Sequence, residues 1–416
     1  MKFKNVFSSF LGSIAEWYEF VVYGFCASFL GPLFFPSDKH FISVMAVFGA
    51  FAFGFLARPI GALLFGYIGD KYSRKKAMSF SIILIGLPTL VMGVIPTYQT
   101  IGIFAPIILL LARLLQGLSV GGQFTGAAIF ITEHIGENRK NLGASIVVAG
   151  GLVGMLVASF TGALLTHFLT HEQLASWGWR IPFILGIFIT VLGFYIKSHT
   201  TEPEKFTRLK KQKLLLKNPI VTAFQTEKML MLLSALACWL SSMVIYQLFI
   251  FMPTYVQTYL QVPLQHALRM NTIAMILLAL LTCIFGFFAD LWGYKKFIFT
   301  GAIFFVLMGF PVYDLLSSYP STLLYIQIIF AIFGAAFIGP ILSVLTHAFA
   351  LKTRYTALSF SYNLGFGIFG GTNALINIFL IQHLNFVAMP GAYISFSALI
   401  SLIAVIFLLK YPQEIN

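Results

Sequence analysis

The sequence predicts an all-α membrane protein whose twelve transmembrane helices form two pseudo-symmetric bundles of six. Of its 416 residues, 59% are hydrophobic and only 9% are charged, and the mean hydropathy is +0.91. A soluble protein carries about 25% charged residues. Apolar stretches of about 20 residues, the length that a helix needs to cross a bilayer, recur along the whole chain. A transmembrane β-barrel would show short alternating segments instead.

Polar turns divide the apolar sequence into twelve expected spans, at residues 8–34, 42–68, 77–96, 101–131, 142–168, 178–197, 229–259, 266–290, 297–317, 321–350, 356–383 and 388–410. One long polar stretch separates the first six spans from the last six. We therefore expect three parts. They are an amino-terminal six-helix bundle at 1–197, a charged cytoplasmic linker at 198–228 and a carboxyl-terminal six-helix bundle at 229–416.

The basic residues set the expected orientation. If the amino terminus is cytoplasmic, the outer face holds few of the 26 lysines and arginines, namely Lys39, Arg180 and Arg269. Arg58 and Arg113 fall inside spans, and the others fall on cytoplasmic turns, where positive charge normally collects. The sequence thus predicts a multi-pass protein of the cell (inner) membrane with both termini cytoplasmic. This topology also explains the net charge of +13.

An internal repeat relates the two halves. The turn after the second span reads GYIGDKYSRKK, residues 66–76, and the turn after the eighth reads GFFADLWGYKK, residues 286–296. Asp70 matches Asp290 and Lys75 matches Lys295 at the same offset of about half the chain. A duplicated six-span unit gives such an offset. Carriers built from parallel repeats bind their substrate at mid-membrane between the halves.

Four charged side chains lie inside apolar spans: Glu16, Glu19, Arg58 and Arg113. An ionised group at bilayer depth costs about 3 kcal/mol even on insertion scales, so such groups usually face a bundle interior or an aqueous cavity. We expect all four to line a water-accessible cavity between the halves. Glu16 and Glu19 share a helix face. These two acids and Arg113 are the candidates for proton coupling; the alternative is a static ion pair that fixes helix packing.

A second set of charges points to a gate. Asp70 ends the second span, where the helix dipole is already negative and disfavours an acid. It needs a positive partner, which Arg74 or Lys75 and the amino terminus of the helix near Arg354 would provide when a cytoplasmic gate closes. We expect Glu133 in a solvated network at the same face. The candidate gating residues are Asp70, Arg74, Lys75, Glu133, Asp290 and Arg354.

The candidate substrate-binding residues are polar or aromatic side chains on these spans: Tyr23, Arg58, Gln116, Gln123, Tyr246, Gln247 and Asn363. Trp17 and Trp239 would add aromatic surface for a cationic head group. Two acids and two arginines are neutral together, so protonation of one acid leaves a positive site for a carboxylate. A small zwitterion fits this balance, and so does an organic acid. The second half offers no deep cation, which favours the zwitterion over a tricarboxylate.

Other functional classes find less support. No basic patch lies on a recognisable soluble domain, so we expect no nucleic-acid partner. The spacing of Cys26, Cys238 and Cys283 suits neither zinc nor a disulfide framework, and we expect no metal. We find no nucleophile constellation or nucleotide-binding loop, and we expect neither an enzyme nor a cofactor. The expected partners are a small-molecule substrate, a proton and the lipid bilayer, with the monomer as the working unit.

The turn at residues 66–76 resembles the signature of the major facilitator superfamily, which has the form G-x-x-x-D-x-x-G-[RK]-x between spans two and three. Ser73 stands where that family usually has glycine. The resemblance implies the major facilitator fold of two six-helix bundles.

Five further segments resemble the metabolite:proton symporter family: GSIAEWYEFVVYGF from Gly12, RPIGALLFGYIGD from Arg58, RLLQGLSVGGQFTGA from Arg113, WGWRIPF from Trp177 and RYTALSFSYNLG from Arg354. Osmolyte carriers of the proline/betaine type have the most similar pattern. The sequence departs from the family at three acidic positions, where it has Glu19 for aspartate, Gln123 for an acid and His347 for an acid.

The resemblance implies a secondary active transporter. We expect proton-coupled uptake of a small zwitterionic or carboxylate metabolite by alternating access. The alternative is a proton-coupled drug or metabolite exporter of the same fold. Such exporters usually have a proline in the glycine motif of span five, and the glycine run from Gly143 to Gly162 contains none. This difference favours uptake.

Overall fold

Twelve long helices account for most of the chain in the computed structural model, which describes residues 3–38, 40–198 and 200–411. We number them α1 to α12: Phe3–Phe34, His40–Lys71, Arg74–Val94, Phe104–Ile135, Lys140–Phe168, Ile181–Ser198, Lys228–Leu260, Leu264–Trp292, Tyr294–Ser318, Leu323–His347, Arg354–Leu384 and Met389–Leu408. Two short linker helices, Glu204–Lys211 and Pro219–Thr226, lie between α6 and α7. The described residues contain no β-strand.

Each of the twelve expected spans corresponds to one long helix. Helices α3 to α12 are long and apolar enough to cross a membrane. Helices α1 and α2 have 32 residues each, which gives a length of about 48 Å at 1.5 Å per residue. That length exceeds the hydrocarbon core of about 30 Å. The predicted fold class, an all-α protein with twelve transmembrane helices, is confirmed. Lys39, which the expected topology places at the outer face, lies outside the described residues.

The helix packing reproduces the repeat of the sequence. In the first half α2 packs on α4 and α1 on α5, and in the second half α8 packs on α10 and α7 on α11. The halves meet where α2 packs on α11 and where α8 packs on α5. Adding six helices to one of these contacts gives the other, so the interface has the pseudo-two-fold symmetry that a duplicated unit predicts.

Four turns, two from each half, lie at the same end of the bundle. We call this end the basic face. It carries the turns at residues 71–76, 136–140, 292–296 and 348–353. The two linker helices lie against it: the first packs on α4, and the second packs on α2 and α11.

Glycines bring α2 and α4 into backbone contact. A Cβ atom on Gly117 would overlap the carbonyl of Gly54, and one on Gly121 would overlap the carbonyl of Arg58. Small residues allow this close approach of membrane helices. Since α2 carries Arg58 and α4 carries Arg113, the crossing fixes the spacing of the two buried arginines.

The crossing predicts a stability difference between two Gly→Ala variants. Gly121→Ala adds a methyl group against backbone atoms of Arg58 and Ala62, so we expect a loss of about 1–3 kcal/mol in the free energy of unfolding. The control is Gly24→Ala, because nothing lies within 4 Å of the added atom. Thermal unfolding in detergent should show a lower midpoint for the first variant and an unchanged or higher one for the second. Equal midpoints would contradict the close crossing.

Candidate functional site

Glu16, Glu19, Arg58 and Arg113 all line one small cavity, which we call the charged cavity. Its lining consists of Glu16, Glu19, Phe20, Gly54, Phe55, Arg58, Ile85, Arg113, Gln116, Gly117 and Val120. None of the four charged residues is more than 6% exposed. All these lining residues belong to α1, α2, α3 and α4. The lining therefore comes from the amino-terminal half, and Tyr246 of the carboxyl-terminal half lies beside it at Arg58. The expected position of the charges between the halves stays a prediction.

Glu19 is held by a chain of hydrogen bonds. The hydroxyl of Thr89 donates to its Oε2 atom, and the hydroxyl of Thr190 donates to Oε1 at 3.0 Å. Gln116 donates to Thr89 at 2.6 Å and accepts from Arg113 at 2.7 Å. Gln116 thus connects the guanidinium to the carboxylate. Helices α1, α3, α4 and α6 all contribute to holding this one acid.

Glu16 and Arg58 form the other side of the charged cavity. The Arg58 guanidinium lies over Phe55, 4.3 Å from the ring centroid, and over Phe20, 5.2 Å from its centroid. The Oε2 atom of Glu16 is buried and has no hydrogen-bond partner in the described part of the chain. Tyr246 of α7 also lies beside Arg58. This is the one candidate binding residue of the second half that reaches the charged group.

A second cavity, which we call the aromatic cavity, lies between the halves. It is lined by Trp17, Phe124, Val148, Gly151, Leu152, Met155, Ser241, Ile245, Ile338, Ile341, Leu342, Leu345, Tyr362 and Phe366. The ring centroid of Trp17 is 5.9 Å from that of Phe366 and 6.3 Å from that of Phe124. Within the described residues, the Trp17 Nε1 and Ser241 Oγ atoms have no hydrogen-bond partner. The cavity therefore combines aromatic faces with two polar groups available to a ligand.

Trp17, Phe20 and Tyr246 separate the two cavities. The Tyr246 ring lies 6.5 Å from both the Trp17 ring and the Phe20 ring. Tyr246 begins a π-helical turn, Tyr246–Phe251, inside α7. Such turns are rare and occur mostly at functional sites. The extra residue in the turn was not evident in the sequence.

Four other candidate binding residues line neither cavity. Tyr23 lies against the Arg113 guanidinium, 3.2 Å from ring centroid to carbon, and donates to the Val47 carbonyl at 3.1 Å. Asn363 donates to the Gly121 carbonyl at 2.7 Å. Both residues are buried and hold neighbouring helices in place. Their expected role in direct substrate binding does not match these positions.

Gln123 and Gln247 are also committed to helix contacts. Gln123 accepts a hydrogen bond from Ser81 in α3. Gln247 donates to the Pro390 carbonyl and accepts from Asn373 at 3.1 Å and Asn377 at 3.3 Å. A buried amide normally satisfies its donors and acceptors, and these neighbours do so for Gln247. The Nε2 atom of Gln123 has no hydrogen-bond partner among the described residues. Of the expected binding residues, Arg58 and Gln116 line the charged cavity.

At the basic face, Asp70 joins the two halves. It accepts from the Arg74 guanidinium and from the backbone amides of Tyr355 at 3.1 Å and Thr356 at 2.8 Å. The two amides belong to the first turn of α11. A helix amino terminus favours a carboxylate because its amides are unpaired and its dipole is positive.

Glu133 lies between two arginines. Its Oε2 atom is 3.7 Å from Nε of Arg74, and its Oε1 atom is 3.3 Å from Nη1 of Arg354. The Glu133 side chain is 1% exposed and that of Arg74 is fully buried. The expected solvated network is wrong in that respect, because the halves cover these charges when they meet.

Asp290 makes the equivalent contact in the other repeat. It accepts from the backbone amides of Asn141 at 3.0 Å and Leu142 at 2.9 Å, at the start of α5. The sequence left Arg74 and Lys75 open as the charged partner of Asp70, and Lys75 makes a different contact. Its ammonium group donates to the carbonyl of Thr200 in the linker at 2.7 Å. Asp70 takes Arg74 as its charged partner instead.

Several residues of the network were absent from the sequence interpretation. Thr89 and Thr190 hold Glu19, and Glu202 of the linker accepts from Ser73 and from the backbone amide of Arg74 at 2.6 Å. Glu227 accepts from Thr353 at 2.9 Å. A threonine in an apolar span carries little signal by itself. The acids Glu202 and Glu227, which lie near the two ends of the basic linker, were the available signal.

Two six-helix halves that meet over buried charged and aromatic cavities define a polytopic membrane carrier. The chain belongs to the Major Facilitator Superfamily, whose family model matches residues 7–271. It is 32% identical to a putative proline/betaine transporter of Staphylococcus aureus, over 97% of this chain and 88% of the relative. It is 31% identical to the proline/betaine transporter of Salmonella typhimurium, over 96% of this chain and 82% of the relative.

A solved structure shares the fold. The proton:xylose symporter XylE bound to 6-bromo-6-deoxy-D-glucose superimposes with a TM-score of 0.80, covering 98% of this chain and 95% of that one at 15% identity. The resemblance predicted from the sequence motifs, the major facilitator superfamily with proline/betaine transporters among the relatives, is confirmed.

The buried ion network predicts how the basic face opens. Glu133→Gln leaves Arg74 and Arg354 without their shared carboxylate, and removing one partner of a buried pair costs about 3–5 kcal/mol. We expect backbone amide hydrogen exchange of the Tyr355 and Thr356 amides to rise at least about tenfold, because contact between the halves is weakened. Hydrogen-exchange mass spectrometry in detergent measures this directly.

The control for this variant is Glu172→Gln, the same chemical change at an exposed site away from the network. Exchange in the first turn of α11 should stay at the level of the unmodified protein. If Glu133→Gln also leaves that exchange unchanged, the ion network does not hold the basic face closed.

Proposed function

We propose that this chain is a proton-coupled carrier that takes up a small zwitterionic osmolyte of the proline/betaine type. The bundles at 1–197 and 229–416 rock about the substrate, and the linker at 198–228 joins them. The basic face lies in the cytoplasm, with both termini, and the protein works as a monomer in the inner membrane. The positive charge of that face and the names of the two bacterial relatives support this proposal.

The charged cavity lies next to the rings of Trp17 and Tyr246, which we call the aromatic layer, and this juxtaposition carries the proposal. Tyr246 lies beside Arg58 and 6.5 Å from the Trp17 ring. One small molecule could therefore contact both the arginine and the aromatic face. A carboxylate would pair with Arg58, and an ammonium group would lie over Trp17. Aromatic rings attract cations at their faces. A zwitterion would engage both, whereas a dicarboxylate would leave the aromatic face without a matching group.

Glu16 and Glu19 provide the proton coupling, and Arg113 modulates it. Glu19 is fixed by the hydroxyls of Thr89 and Thr190. Glu16 faces the same cavity as Arg58 with an unpartnered oxygen. When one of the acids takes up a proton, the four charges leave a net positive site. The substrate carboxylate then binds Arg58 in place of the neutralised acid.

Transport alternates by breaking and remaking the contacts of the basic face. Asp70 and Asp290 each bind the amino terminus of a helix in the opposite half, and Glu133 pairs with Arg354 across the interface. Opening to the cytoplasm separates all three contacts. Lys75 acts on the linker side of the same turn. The six gating candidates therefore work as one latch between the halves.

The central test is gradient-driven transport. The purified protein in liposomes with an imposed inward pH gradient should accumulate labelled proline or glycine betaine. Glu19→Gln should abolish accumulation against a gradient, because a neutral amide takes up no proton. The control, Glu172→Gln, changes an exposed acid and should retain accumulation. Full accumulation by Glu19→Gln would remove this residue from the coupling step, and export driven by the same gradient would reverse the proposed direction.

The aromatic layer predicts substrate affinity separately from coupling. Trp17→Leu removes an aromatic face but keeps an apolar side chain, and a desolvated cation–π contact contributes up to about 2 kcal/mol. We expect the KM for glycine betaine to rise roughly tenfold. Trp177→Leu, at a half-exposed tryptophan that lines neither cavity, is the matched control. An unchanged KM in both variants would exclude Trp17 from substrate binding.

A further inference from the structure

A third cavity opens at the basic face between the first turns of α3 and the linker. It is open to solvent and is lined by Ser73, Lys75, Lys76, Ser79, Phe80, Glu202, Thr207 and Lys210. We propose that this pocket binds the phosphate head group of an anionic phospholipid. The proposal goes beyond transport, since it concerns a lipid site remote from the charged and aromatic cavities.

The charge of the pocket suits a phosphate. Three lysines face one carboxylate, that of Glu202, and this carboxylate is already engaged by Ser73 and by the backbone amide of Arg74. Lys76 and Lys210 are exposed at the mouth of the pocket. Basic pockets at the cytoplasmic ends of membrane helices are suited to anionic lipid head groups.

The surface that leads to the pocket suits an acyl chain. Phe80, Ile83 and Leu87 follow Lys76 along one face of α3, at the three- and four-residue spacings of a helix. They are 56%, 45% and 58% exposed. In a membrane this apolar strip faces lipid and runs from the hydrocarbon up to the lysines. A phospholipid would use both the strip and the pocket, whereas a free phosphate ion would use the pocket alone.

The residues that line the pocket also contact the gating residues of the basic face. Ser73 and Glu202 hold the linker to the start of α3, and Phe206 of the linker lies 5.0 Å from the Arg74 guanidinium. Arg74 in turn binds Asp70, which holds α11. A head group that bridges Lys76 and Lys210 draws the linker against α3. Bound lipid therefore stabilises the closed basic face.

The test compares two double variants of the full-length protein that remove equal charge. Lys76→Gln with Lys210→Gln removes two lysines of the pocket. Lys211→Gln with Lys213→Gln removes two exposed linker lysines that do not line it. Each purified protein in detergent is titrated with phosphatidylglycerol, phosphatidylcholine or glycerol phosphate, and the thermal unfolding midpoint is recorded.

Phosphatidylglycerol should raise the midpoint of the unmodified protein and of the control variant, and the pocket variant should require about tenfold more of it. Three results would overturn the proposal. They are equal shifts in the two double variants, equal shifts with phosphatidylcholine, and equal shifts with glycerol phosphate, which would indicate a site for the soluble anion. Because the assay measures binding without transport, its failure is distinguishable from a failure of the proposed function.

Discussion

The cost of placing an ionised group in hydrocarbon governs this structure. Each buried charge must find a partner, since an unpaired one at bilayer depth is strongly unfavourable. At the basic face, Asp70 accepts hydrogen bonds from the other half, from the backbone amides at the start of α11. Those amides reach Asp70 only when the halves meet. Closing of the basic face and compensation of the Asp70 charge therefore happen together. When the face opens, Asp70 and these amides must be hydrated by water instead.

The charges at mid-membrane follow the opposite arrangement. Glu19 takes its partners from α1's own half, through Thr89, Thr190 and Gln116. Rocking of the halves leaves those bonds intact. What changes at this level is the aromatic layer, where Trp17 and Tyr246 come from different halves. In the proposed transport cycle, such a site keeps its hydrogen-bond partners, and the substrate completes the contact between the halves.

The sequence predicted the helices and the contact at the repeat, but not the direction of individual side chains. Apolar length fixes spans, and an acid at a helix carboxyl end needs a positive partner, so the meeting of Asp70 with the start of α11 followed. By contrast, Gln123, Gln247 and Asn363 are polar in the sequence for a different reason. Each forms a hydrogen bond with a group on a neighbouring helix. Successive residues on a helix point about 100° apart, and the π-helical turn at Tyr246 shifts that register, so polarity alone identified neither cavity lining nor helix contact.

The two copies of the repeat now make interface contacts of different strength. Asp290 accepts from two backbone amides and the carboxamide of Asn141, and Tyr294 stands where the first repeat has Arg74. Separating α8 from α5 therefore breaks contacts between one carboxylate and neutral donors. Separating α2 from α11 must also pull Glu133 away from Arg354, in a region that the linker covers. Since buried ion pairs are costly to divide, the pseudo-symmetric interface is held unequally. We expect opening of the basic face to begin between α5 and α8 and to end with release of α11.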